Sequence, residues 1–533
     1  MQLEAKLEKQ NVVPGLRQIN YLLVKLKTPP MIVSPTRQPL VIGLAIDKSW
    51  SMKGDKMEAT IEAASAMVNW LTRYDYLTVI AYSADVQIVL PLVQLNDKIS
   101  VIDKISSIKV GTSTNLSGGW LQALRTIESA NISNAYRRVI LLTDGQATIG
   151  IQDPEQFNQI ASDHLSRGIS TTTIGFGEDI NEEVLRKISV TGGGNFYYVE
   201  TPEHTSEIFF KEFGDIGALY AQGLEVKLKF NDGIKIKELL NDAPHQISKT
   251  DNTLTIQPGD IRCDDTRGLI VAVEIDGNRD LSNNFCSIDL SYYNLLKNMQ
   301  LEKSSFELPL RKGDVESAAD SEVVVERLIA TSARTMINVS KLINEKEMTA
   351  AKDVLMAMIE KVQVSMSLAP EMLNPILLRL KSMEMKLKEN LANVSKHFMA
   401  AGSNMYRSSE VIDLSNIDVH NKIFEYKVPG DIDLYKCPEI KSMVQNQLNS
   451  GYRFIIFDLS NTRHIDSSGI GAFIQIVGWL RRRGGEFIVT ELTDGVRKIF
   501  NLTRLENHIR VASTLEEANK IIQVLIDSLT NQQ

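Results

Sequence analysis

Between residues 38 and 215, short apolar runs alternate with amphipathic stretches of helical spacing, and near residue 220 the period of the pattern falls to two. This change of period rules out one continuous architecture. A helical period buries a stripe on a cylinder, whereas a period of two buries one face of a sheet. The first region begins with Val41-Ile42-Gly43-Leu44-Ala45-Ile46 and an amphipathic segment over 56–73. Further strands are predicted at 76–82, 138–142, 170–176 and 195–199, with 86–92 as a hairpin arm and helices over 116–129, 154–166 and 181–188. That order predicts a mainly parallel, Rossmann-like α/β domain.

From 220 onward, Leu224, Val226, Leu228 and Phe230 alternate with Glu225, Lys227 and Lys229, and Asn-Asp-Gly and Asp-Gly-Asn turns separate such runs. An antiparallel, β-rich, sandwich-like domain is expected. The apolar run Tyr21 to Lys27, ahead of Pro29-Pro30, reads as a strand that completes this sheet, with the α/β domain inserted between. The next segment is rich in Ala, Glu, Lys, Met and Leu; it predicts three helices with breaks near Asn344-Glu345-Lys346 and Leu368-Ala369-Pro370. Its methionines read mainly as packing. Gly402-Ser403-Asn404 with Arg407-Ser408-Ser409 reads as a linker into a final α/β unit. The expected organisation is thus 1–37, 38–215, 216–312, 313–404 and 405–533.

Composition narrows the function. Lys and Arg total 58 against 66 for Asp and Glu, a formal charge of −8, and the two signs are interspersed. A nucleic-acid partner would need a clustered basic face, so none is expected. No apolar run approaches the roughly 20 residues of a membrane helix, and Met1-Gln2-Leu3-Glu4-Ala5-Lys6 lacks signal-peptide order, which predicts a cytoplasmic protein without a membrane span. Three cysteines without metal-ligand spacing fit a reducing compartment.

Two loops carry chemistry. In the first, Asp47-Lys48-Ser49-Trp50-Ser51 ends a buried strand and offers a carboxylate and two hydroxyls ahead of a helix expected near Lys53. Leu141-Leu142-Thr143-Asp144-Gly145 ends a neighbouring strand with a second carboxylate, and Gly111-Thr112-Ser113-Thr114-Asn115-Leu116 offers a hydroxyl from a third loop. Oxygen donors from three loops on one rim suit a hard divalent cation. A single such turn is more commonly a helix cap, but three on one rim favour metal. In the second loop, Asp466-Ser467-Ser468-Gly469 follows Phe454-Ile455-Ile456-Phe457-Asp458-Leu459-Ser460 and opens a helix from Ile470.

Residues 40 to about 200 resemble a von Willebrand factor A (VWA) domain with its metal-ion-dependent adhesion site. By motif position, the resemblance implies Asp47, Ser49, Ser51, Thr114 and Asp144 as the metal set, and Mg2+ as the ion, with Mn2+ or Ca2+ as substitutes. It also implies an open position for a carboxylate-presenting protein ligand. Trp50 replaces the usual small residue and should flank the rim. The order of a preceding strand, this domain and a β-rich region is also similar to bacterial proteins of inter-alpha-trypsin-inhibitor-like arrangement.

Residues 410–530 resemble a STAS domain, the sulfate-transporter and anti-sigma-factor-antagonist fold, through Asp458-Leu459-Ser460, then Ile465-Asp466-Ser467-Ser468-Gly469-Ile470-Gly471, and Arg482-Arg483-Gly484-Gly485. That resemblance implies phosphorylation of Ser467 by an anti-sigma-like Ser/Thr kinase. Asp466 would position the acceptor, Ser468 is a weaker second site, and Gly469 permits close approach at the turn. His464 reads as a packing or hydrogen-bonding residue. Together these features predict a non-catalytic regulatory scaffold in partner switching; the alternative is a VWA adaptor of an AAA+ ATPase in metal insertion or complex remodelling. No histidine or cysteine lies in the metal loops and no G-x-x-x-x-G-K-[ST] loop occurs, so no enzyme is expected.

Overall fold

The computed structural model describes the chain apart from residues 30–37, 145–146, 178–179, 200–207, 209–211, 213–218, 264, 280, 282–283, 314, 316, 389–393, 406–422, 434–435, 450–451, 482–484, 504, 508 and 531–533. The expected boundary at 215/216 therefore falls outside the described residues, as do Arg407-Ser408-Ser409, Arg482-Arg483-Gly484 and Gly145.

The chain opens with β1 (Gln2–Leu7), the two-residue β2 (Asn11–Val12) and β3 (Arg17–Lys27) before entering the α/β unit. There β4 (Leu40–Asp47), β5 (Tyr76–Tyr82), β6 (Val86–Gln94), β7 (Tyr136–Thr143), β8 (Ile169–Phe176) and β9 (Gly193–Val199) form one sheet, ordered β6-β5-β4-β7-β8-β9. Only the edge strand β6 is antiparallel. Helices cover both faces, so the whole of β4 is buried and reads as a continuous apolar run. Ile42, Leu44 and Ile46 pack in the core under α1 (Asp55–Trp70) and α2 (Lys98–Ser106). Val41 and Ala45 face α3 (Leu116–Glu128), α4 (Pro154–Ser166) and α5 (Glu182–Thr191).

A two-sheet sandwich follows. Its strands are β10 (Leu219–Phe230), β11 (Ile234–Leu239), β12 (His245–Ser248), β13 (Thr253–Ile256), β14 (Ile261–Arg262), β15 (Thr266–Asp276), β16 (Asn284–Asn294), β17 (Gln300–Pro309) and β18 (Arg311–Lys312). One sheet runs β1-β3-β15-β11, the other β12-β13-β10-β16-β17 with β14 against β10, and β18 pairs with β2. All eleven residues of β3 pair with β15, from Arg17 opposite Asp276 to Lys27 opposite Thr266. Leu22, Val24 and Leu26 thereby join Leu224, Val226, Leu228 and Phe230 in one core. The α/β unit is an insertion between β3 and β10.

A buried polar network fastens that insertion at the end of the sheet away from Asp47 and Asp144. Arg138, at the start of β7, pairs with Glu212 and, at 3.0 Å, with Asp260 of the sandwich, whose Oδ2 also accepts the Tyr136 hydroxyl at 2.8 Å. Although burial alone would raise it, the Arg138 charge and hydrogen bonds from Thr172 and Asn195 hold the Glu212 carboxyl below its ordinary value.

The helical segment has four helices among the described residues, one more than the sequence predicts: α6 (Ser321–Asn344), α7 (Met348–Val364), α8 (Pro370–Lys388) and α9 (Val394–Met405). The glycine-serine pair read as a linker lies inside α9. A Cβ at Gly402 would lie 2.7 Å from the Ala333 carbonyl oxygen and 2.8 Å from Ile337 Cγ1. The glycine thus marks a close crossing of α9 on α6, and the linker expectation is corrected on that ground. Met336, Met358 and Met405 are core residues of this bundle, whereas Met356 and Met385 are exposed.

The last unit is a parallel sheet, β19-β20-β21-β22, made from β19 (Ile423–Lys427), β20 (Phe454–Asp458), β21 (Glu486–Thr490) and β22 (Arg510–Ala512). Its helices are α10 (Cys437–Asn449), α11 (Ser467–Arg481), α12 (Asp494–Thr503) and α13 (Leu515–Thr530). Phe457, Phe473 and Phe487 form an edge-to-face cluster under α11, while Phe454, Ile456 and Ile488 pack with Ala518 and Ile522 of α13. Helix α11 also packs against α1 of the first α/β unit. No helix among the described residues is long and apolar enough to cross a membrane.

Candidate metal centre and switch loop

Parallel neighbours β4 and β7 bring Asp47 and Asp144 to one rim of the sheet, where each strand hands over to a loop. Asp47 is fully buried. Its Oδ1 accepts the Ser49 backbone N–H at 2.8 Å and its Oδ2 the Thr143 hydroxyl at 2.7 Å. Burial pushes its carboxyl up to about 6; the hydrogen bonds from Thr143 and Ser49 oppose the shift, and the nearby Asp144 charge adds to it. The chain then makes a 3-10 turn at Trp50–Met52, and Gly54 at φ +87° leads into α1 at Asp55. The helix therefore starts later than expected, because positive φ at Gly54 breaks the run.

Hydroxyls link the two carboxylates. Ser49 Oγ lies 3.1 Å from Ser51 Oγ, and Ser51 donates to Asp144 Oδ1 at 2.7 Å. The other Asp144 oxygen accepts from Lys56 Nζ at 2.6 Å. Lys56 reaches it beside Gly177, where a Cβ would come within 3.0 Å of Nζ. Lys56 and Thr143 complete the charge and hydrogen-bond pattern, and neither was assigned a role from sequence. A lysine at the second position of the helix after the D-x-S-x-S loop is the signal that was available.

Thr114 is buried in the third loop. Its backbone N–H donates to Thr148 Oγ1 at 3.0 Å, and its carbonyl accepts from Thr148 N at 3.0 Å, which ties this loop to the segment after Asp144. Trp50 N–H donates to the Thr112 carbonyl at 2.9 Å, joining it also to the first loop. Among the described residues, no hydrogen bond joins the Thr114 hydroxyl to Asp47, Ser49, Ser51 or Asp144. Trp50 is 64% exposed beside these hydroxyls, with Lys53 Nζ 4.4 Å from its ring centroid. The converging donors are oxygens on both carboxylates and two serines, a set that fits a small hard cation. Among the described residues, no group of three or more His, Cys, Asp or Glu side chains is arranged to hold a metal ion by itself.

The second loop is assembled differently. Ile432 N–H donates to the His464 carbonyl at 3.1 Å, and Asp466 N–H returns to the Ile432 carbonyl at 3.0 Å. Asp431 Oδ1 accepts the Arg463 and His464 N–H groups at 2.8 and 2.9 Å, which holds its carboxyl below the usual range. Asp466 then caps α11, its Oδ1 accepting Gly469 N–H at 2.9 Å. Ser467 and Ser468 are the first two helical residues; their side chains lie outside the described atoms. A Cβ at Gly469 would sit 2.6 Å from Ile465 Cγ2 and 2.8 Å from Ile432 Cγ2, so the turn excludes a larger residue.

With this geometry in place, residues 42–211 match the family model of the von Willebrand factor type A domain, and residues 415–518 that of the STAS domain. The chain carries a VWA domain and a C-terminal STAS domain. The VWA part is similar to the Escherichia coli (strain K12) protein YfbK, at 26% identity over 188 residues, 35% of this chain and 33% of that protein. The chain thus matches about one third of that relative's length. The STAS part is similar to the anti-sigma-B factor antagonist of Staphylococcus aureus (strain NCTC 8325 / PS 47), at 29% identity over 91 residues, 17% of this chain and 84% of that one. The fold is shared with the ArnB paralog VWA2 from Sulfolobus acidocaldarius at a TM-score of 0.54 and 17% identity, covering 76% of this chain and 97% of that one. That coverage exceeds a VWA domain alone. VWA and STAS domains are protein-interaction modules.

Proposed function

We propose that this chain is a cytoplasmic, non-catalytic regulatory scaffold of the anti-sigma-factor-antagonist type. In this reading it has two protein-docking sites, one governed by a divalent cation and one by phosphate. The observation that carries the reading is the STAS loop. A segment similar to an anti-sigma-B factor antagonist over 84% of that protein's length starts α11 with Ser467, directly after the capping carboxylate of Asp466. A phosphate adds about −1.5 to −2 charge at neutral pH, and a helix N-terminus accommodates an anion. Modification of Ser467 by an anti-sigma-like Ser/Thr kinase would therefore change the charge of the docking surface and leave the fold intact.

At the VWA rim, Asp47, Ser49, Ser51, Thr114 and Asp144 would hold Mg2+. Bound there, the cation would offer an open position to a carboxylate on a protein partner. Asp47 orients Ser49 through its backbone N–H, and Thr143 fixes the Asp47 carboxylate. Trp50, exposed at the edge, supplies apolar area to the same partner.

The direct test is binding of a small anti-sigma-like Ser/Thr kinase from the source cell to Ser467→Ala and Ser467→Asp variants. The reading expects tight binding for the alanine form and at least tenfold weaker binding for the aspartate form. Equal affinities would reject the switch.

A further inference from the structure

The helix that begins with the switch serine is not a free surface. An apolar cluster runs from Met57, Ala64 and Val68 of α1 to Ile470, Phe473 and Val477 of α11, and the two helices pack directly. Beyond its apolar core, the contact has a polar end. Lys98, the first residue of α2, donates to the Asn69 carbonyl in the last turn of α1 at 2.8 Å. Burial lowers the Lys98 ammonium to about 8, and among the charges that favour its protonated form Asp466 acts most strongly. Lys98 is half-buried against a C-terminal carbonyl of α1 and feels the charge of Asp466, the cap of α11.

We propose that helix α1 of the VWA domain is the in-cis occupant of the α11 face of the STAS domain, so that an external protein binding that face must first displace α1. The consequence for signalling rests on reading α11 as the regulated helix; the docking itself does not. Helix α1 also carries Lys56, the partner of Asp144, so one helix touches both the metal rim and the switch helix. Because both helices belong to one chain, effective concentration favours the closed form over a partner in solution.

The test uses the full chain with a site for a specific protease inserted between residues 406 and 409. After cleavage at micromolar concentration, the C-terminal piece should co-elute with the remainder on gel filtration. Lys98→Glu places like charge beside Asp466 and should lower the retained fraction at least tenfold, with Lys98→Ala giving a smaller loss. A C-terminal piece that elutes separately while folded by circular dichroism would overturn the proposal. Retention indifferent to both Lys98 variants would also overturn it, because the contact would then lie on another face. Neither readout depends on phosphorylation of Ser467, so failure of the switch reading would be seen separately.

Discussion

The loops at Asp47 and Asp466 start from the same local chemistry, an aspartate at a strand end and serines entering a helix, and reach different structures. Asp47 is fully buried between two strands, and its neighbours draw hydroxyls, a second carboxylate and a lysine onto one rim. Asp466 is half-buried and caps a single helix, with its loop fixed by backbone pairing to Ile432 and by a glycine that tolerates no Cβ. The contrast shows how location in the sheet decides the use of an Asp-Ser turn. Convergence of three loops concentrates oxygen donors, whereas an isolated cap satisfies one helix end.

The comparison can be broken most sharply at Gly469. Gly469→Val should destabilise the STAS domain by about 3 kcal/mol, the scale of overpacking against Ile432 and Ile465, while leaving VWA melting unchanged. Urea unfolding followed at each domain checks it. Asp47→Ala comes next: it leaves the Thr143 hydroxyl and Ser49 N–H unpaired in a buried site, for about 1–3 kcal/mol, and should abolish Mn2+ binding measured by electron paramagnetic resonance. Lys56→Met should act in the opposite direction on the ion, tightening Mn2+ binding by roughly tenfold because Asp144 loses its resident cation. Unchanged affinity would remove Lys56 from the site.

A pH series sharpens the same contrast. The Asp47 carboxyl is raised from 3.8 to about 6, so the folded state holds its proton more tightly than the unfolded chain. Its contribution to metal-free stability is fully present below about pH 4 and is lost as pH rises through 6. Cation binding needs the ionised form, so Mn2+ affinity should fall about tenfold per pH unit below 6. The smallest effect is expected at the cap, where Asp466→Ala should cost about 1 kcal/mol of STAS stability.

Much of this fold was legible because hydrophobic period reports layer type directly. The buried run 41–46, the alternation over 224–230 and the apolar 454–457 each lie in a strand of the kind their pattern specifies. Four of the five residues proposed for the metal are joined by hydrogen bonds through Ser49, Ser51 and Thr143, since strand ends in a parallel sheet share one rim. Gly402 misled, because a glycine that ends helices elsewhere here permits a helix crossing. Lys56 and the contact of α1 with α11 were not legible: neither a salt bridge to a residue 88 positions away nor docking across some 400 residues leaves a periodic trace.

The central claim is that the STAS loop carries a regulated phosphate. The most direct measurement is phosphate mapping by mass spectrometry on the peptide from His464 to Arg481, from protein isolated in its native cells with a phosphatase-treated control. A single phosphate on Ser467, removed by the phosphatase and varying with growth or stress, is the predicted result. Its consistent absence across those conditions, with the peptide fully covered, would contradict the account.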